Sequence, residues 1–131
     1  MNTLPGVIQK ISTQGQFALM DIDVSGTMFK CIMTETPDSS FLAIGKSVQV
    51  LFKETEVVIA LPGDHPISLQ NKLSCRINEI EKGSLLCRLT LDFMGHRVIS
   101  IVTRAAAEQL HLKPQDQILA MIKTNEVILS E

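Results

Sequence analysis

The chain has 131 residues, a formal net charge of -2 and a pI near 5.9. That balance supplies no positive field for nucleic acid or for an anionic membrane surface. With no Trp or Tyr and five scattered Phe, it also lacks the stacking platforms that single-stranded nucleic acid requires. Cys31, Cys75 and Cys87 form no C-x-x-C pair and are odd in number, so they read as reduced core residues and not as a disulfide framework. No apolar run reaches the roughly eighteen residues of a membrane span, and no basic segment leads into an apolar one at the N-terminus. The expectation is a cytoplasmic protein with no membrane or nucleic-acid partner.

In chain order, Val7 to Ile11 reads as a first strand ended by the turn Gln14-Gly15-Gln16. Phe17 to Val24 alternates with apolar residues on both faces, as in a small barrel whose outside is also covered. Ser25-Gly26-Thr27 is a hairpin turn and Met28 to Met33 a third strand. Thr36 as N-cap, Pro37 at the first helical position and Asp38 near the positive end of the dipole predict a short helix, broken at Gly45. Ser47 to Phe52 and Glu56 to Leu61 are two further strands around the turn Lys53-Glu54-Thr55. Leu61-Pro62-Gly63-Asp64-His65-Pro66 reads as a linker.

The chain then begins again. Asn2, Leu4, Ile8 and Ile11 return as Asn71, Leu73, Ile77 and Ile80, sixty-nine positions later, and Asp23 and Gly26 return as Asp92 and Gly95. Strands follow at Ile77 to Ile80, Leu85 to Phe93 and Arg97 to Val102, the second and third joined by the hairpin Met94-Gly95-His96. Thr103 caps a helix through Ala105, Ala106, Ala107 and Glu108 that ends near His111, before Pro114. The last strands, Gln117 to Ile122 and Val127 to Ser130, flank Lys123-Thr124-Asn125-Glu126, and the offset has grown to seventy.

Residues 1–62 and 67–131 are therefore expected to be two modules, with 63–66 between them. The fold class is all-β with short helices: two five-stranded β-barrel modules in tandem, in the element order of the oligonucleotide/oligosaccharide-binding (OB) fold. A sixty-residue module buries only about 60% of its unfolded surface. At 45% hydrophobic residues, the halves are expected to pack on each other or to oligomerise.

These pieces carry a resemblance. Ile67-Ser68 before Asn71-Lys72-Leu73, the Gly95 hairpin, the strand Val98-Ile99-Ser100-Ile101-Val102-Thr103 running into a short helix, and Ile122-Lys123-Thr124-Asn125-Glu126-Val127-Ile128 resemble a molybdate-binding Mop or TOBE module. Two in one chain are similar to the tandem molbindins. The likeness covers the whole chain, more closely over 67–130 than over 2–61. It implies a non-enzymatic protein that binds molybdate or tungstate, a small oxyanion, at the interfaces of a homo-oligomer (dimer or trimer), for storage, buffering or sensing.

By that resemblance Ser68, Leu69, Gln70 and Asn71 form one wall of the anion pocket. Lys123 and Thr124 form another, and Ser100 is a further candidate. Asn2 and Lys53 are the weaker counterparts in the first copy. A tetrahedral dianion suits backbone N–H groups and hydroxyls completed by one or two cations. The sequence departs from the family at Gln70, where relatives have arginine, and at Glu54, which faces the role of Thr124 with a carboxylate. These departures frame an alternative: a ligand-degenerate TOBE-type interaction or regulatory module that oligomerises or regulates a transporter ATPase or a transcription regulator. His65, His96 and His111 are too dispersed for a zinc site, and no catalytic triad can be assembled from the sequence.

Overall fold

The computed structural model describes residues 1–34 and 42–131. The helix expected at Thr36, Pro37 and Asp38 lies outside the described residues. Among the described residues, ten strands form two five-stranded sheets. The first half supplies β1 (Asn2–Gln14), β2 (Phe17–Val24), β3 (Thr27–Met33), β4 (Ser47–Phe52) and β5 (Val58–Ala60). The second supplies β6 (Asn71–Lys82), β7 (Leu86–Phe93), β8 (His96–Thr103), β9 (Gln117–Ile122) and β10 (Ile128–Ser130), with helix α1 (Arg104–Gln109) between β8 and β9.

The opening strands start earlier than the sequence suggests, at Asn2 and Asn71 and not at Val7 and Ile77. Pro5 and Gly6 look like breakers, yet β1 serves two partners in turn and runs through them. Asn2 to Val7 pairs antiparallel with β4, and Val7 to Gln14 with β2. A register shift between Ile8 and Lys10 bends the strand as it changes partner. Gly6 sits on the inside of that bend, where a Cβ would lie 2.6 Å from Cγ2 of Ile22. β6 repeats the arrangement with β9 and β7, shifting between Ile77 and Glu79.

Both hairpins close as expected. Ser25-Gly26 has φ of 51° and 86°, and Met94-Gly95 has φ of 51° and 88°. Positive φ at both central residues is the type I′ loop, whose twist matches the flanking strands. Thr103 caps α1 by accepting a hydrogen bond from the Ala106 N–H at 3.0 Å.

The fifth strands depart from chain order. The sheets run β10-β4-β1-β2-β3 and β5-β9-β6-β7-β8, so each half completes its sheet with the last strand of the other. Leu129 pairs with Val50 of the first half, and Ile59 with Ala120 of the second. One continuous core results. Leu4, Ile22, Phe29 and Phe52 join Leu73, Ile77, Leu91, Phe93 and Ile118, with Val127 and Leu129 crossing between the halves.

Candidate functional site

The exchange brings the start of each half against an edge strand of the other. β3 and β8 end their sheets, so the outward backbone groups of these strands have no ladder partner and must find one elsewhere. A carboxamide offers one donor and one acceptor side by side, as a neighbouring strand would. Asn2 donates through Nδ2 to the Ile99 carbonyl at 2.8 Å and accepts the Ile99 N–H at 2.7 Å. Asn71 repeats this on Lys30, accepting its N–H at 2.6 Å and donating to its carbonyl at 2.8 Å. Deeper in, the Ser100 hydroxyl donates to the Val57 carbonyl at 3.0 Å, and the Cys31 thiol to the Val127 carbonyl at 3.4 Å. All four contacts follow the sequence repeat. The side chains of Asn2, Asn71 and Ser100, read from the sequence as ligand groups, are thus occupied in joining the two halves.

The other predicted residues gather at one end of the second sheet. The β6–β9 ladder pairs Asn71 with Ile122, which places Gln70 and Lys123, the next residues outward, opposite one another within a single chain. Lys123 is exposed and Thr124 nearly buried at the start of a 3-10 turn, Thr124–Glu126. Ser68 and Gln70 are exposed and Leu69 half-buried, in a segment of 61–70 without helix or strand. Nearby cations are engaged: Lys30 pairs with Asp21 at 2.9 Å, and Lys72 donates to the His65 carbonyl at 2.8 Å.

The equivalent end of the first sheet differs in charge. The β1–β4 ladder places Met1 opposite Lys53, which is exposed at the start of the 3-10 turn Glu54–Glu56. The Met1 ammonium pairs with Glu54 at 3.1 Å. The Glu54 carboxyl is held below its ordinary value by a hydrogen bond from its own backbone N–H, by that ammonium and by the charge of Arg88. Met1, Asn2, Thr3, Glu54 and Ile99 line a cleft of about 290 Å³ together with two residues that the sequence did not suggest, Arg88 and Arg97. No local pattern marks them, because they belong to the other half and the repeat aligns them with Leu19 and Met28.

The cysteines are free and buried. Burial pushes the Cys31 thiol up to about 11; burial, with the charge of Asp92 adding to it, pushes Cys75 up to about 12. Among the described residues, no group of three or more His, Cys, Asp or Glu side chains is placed to hold a metal ion, and no helix is long and apolar enough to cross a membrane.

Residues 67–129 match the TOBE domain family model. That segment is a TOBE domain. The Molybdenum-pterin-binding protein MopB of Rhodobacter capsulatus is 35% identical over 91 residues, 68% of this chain and 34% of MopB. The Molybdenum import ATP-binding protein ModC of Brucella abortus is 27% identical over 113 residues, 86% of this chain and 30% of ModC. The chain thus spans about a third of the length of these curated relatives. Over its full extent it is similar to the crystal structure of the cytoplasmic molybdate-binding protein ModG with molybdate bound. The TM-score is 0.91 at 28% identity, covering 98% of this chain and 94% of ModG. The family match thus covers the second half, while the likeness to ModG runs through both, and the two curled sheets are the tandem OB-like fold.

Proposed function

We propose that this protein binds molybdate or tungstate in the cytoplasm, as a non-enzymatic store, buffer or sensor of the oxyanion. The observation that carries the reading is the correspondence, end to end, with a molybdate-bound binding protein of nearly the same extent. The pocket walls are the turn residues beside the opening of each half: Ser68, Leu69, Gln70, Lys123 and Thr124 at one station, Lys53 and the residues next to Asn2 at the other. Exposed lysines at the starts of the 3-10 turns supply charge, and turn N–H groups and hydroxyls supply directional donors. Exposed Phe17, Leu86, Val58 and Ile128 are apolar surface suited to a homo-oligomer, dimer or trimer, whose interfaces complete the pockets.

Isothermal titration of the purified protein with molybdate, tungstate and sulfate tests this. Saturable heat with molybdate or tungstate is expected, and no heat with either removes the proposal. The likeness to ModC over 86% of this chain favours a second reading, a regulatory module for a transporter ATPase. It predicts association with such an ATPase subunit without any oxyanion binding.

A further inference from the structure

We infer that Arg88 and Arg97 make the cleft beside Met1 and Asn2 the stronger oxyanion site of the protein, reversing the ranking that the repeat suggests. The inference rests on the oxyanion reading above and adds the residues that decide affinity. Both arginines are exposed on the outer face of the second sheet and line the same cleft. They bracket Ile99, the residue clamped by Asn2. The register sets Arg88 opposite Ile101 and Arg97 opposite Asp92, with Thr90 and Ile99 between them. At about 3.3 Å per residue the two backbones stand roughly 13 Å apart along the sheet, a span that two long side chains bridge by converging on one anion.

The charge count favours this station. Met1 and Glu54 neutralise each other at 3.1 Å, and among the described residues neither arginine has an ion-pair partner, Asp92 across the ladder included. Two guanidiniums remain, each a planar fork that presents paired N–H donors to adjacent oxygens of a tetrahedral dianion. At the other station the repeat substitutes Leu19 and Met28 for the arginines. The lysine that replaces Ile99, Lys30, is tied to Asp21. That station is left with Lys123, a strongly hydrated point charge on a flexible stem.

The test is titration of the full chain with molybdate, tungstate, sulfate and phosphate, on wild type, the double variant Arg88→Gln/Arg97→Gln, and Lys123→Gln. Arg88, Arg97 and Lys123 are exposed, so unchanged circular dichroism and Tm are expected of these variants and verify folding. The tightest site should lose tenfold or more in affinity in the arginine variant and less in Lys123→Gln. Glu54→Gln should tighten binding at the same site by removing the one carboxylate in the cleft. If wild type binds molybdate and the arginine variant binds it equally well, this inference fails while the oxyanion reading stands. If wild type takes only sulfate or phosphate, and the arginine variant loses that binding, the cleft stands and the molybdate reading fails. No heat with any of the four anions overturns both.

Discussion

Replacing Asn71 by alanine removes both halves of a buried clamp. The side chain is fully buried, and its loss leaves the Lys30 N–H and carbonyl on the free edge of β3 without the partners they meet at 2.6 and 2.8 Å. Each unsatisfied group costs about 1–3 kcal/mol. Lys30 is only partly buried, so water recovers some of that, and the expected loss is about 2–4 kcal/mol. Against a total stability of roughly 5–15 kcal/mol this is a large fraction. For a chain of this length it lowers Tm by roughly 6–20 °C. Urea unfolding and calorimetry measure it. Asn2→Ala should follow in the same direction with a loss at least as large, because the groups it leaves unpaired belong to Ile99, which is buried where Lys30 is only partly so. An Asn71→Ala protein within about 0.5 kcal/mol of wild type would refute the assignment of this side chain to joining the halves. A variant of unchanged stability that no longer bound oxyanion would return Asn71 to the pocket.

Leu129→Ala should cost about 2–4 kcal/mol as a buried large-to-small change. Its signature in hydrogen exchange is lost protection at Gln49, Val50 and Leu51, in the opposite half of the chain; loss confined to residues 71–122 would contradict the strand exchange. The Glu54 carboxyl is depressed in the fold, so its contribution to stability is present above its unfolded value, about 4.3, and is lost as pH falls through the lower folded value. Glu54→Gln should therefore lower the urea midpoint at pH 7 and leave it nearly unchanged well below pH 4, and an equal difference at both would refute the pairing. Cys31 and Cys75, with thiols pushed up to about 11 and 12, should resist a thiol-specific disulfide reagent at pH 8 until urea unfolds the chain; rapid native labelling at either position would contradict their burial.

Much of the architecture is written locally. Alternation of apolar residues, the Ser25-Gly26 and Met94-Gly95 turns, and the Thr103 cap each depend on neighbours a few positions away, so the strands, hairpins and helix of the second half are legible without a structure. The sixty-nine-residue repeat from Asn2 to Asn71 is not local, but comparing the sequence with itself reveals it, and with it the resemblance to tandem Mop/TOBE modules. The strand starts were less legible, since Pro5 and Gly6 read as breakers until the pairing of β1 with β4 carries the strand through them.

Partner choice is a different kind of fact. Val58–Ala60 and Ile128–Ser130 are three residues each, too short for periodicity to say which sheet they complete, and only the shared core decides that they cross. The crossing in turn commits Asn2, Asn71 and Ser100 to backbone groups of the opposite half and sets Arg88 and Arg97 beside Met1 and Glu54. The sequence by itself determined the repeat, the β class and the lysine-bearing turns. The distribution of charge between the two stations belongs to the tertiary structure, because it arises from side chains of one half meeting backbone of the other.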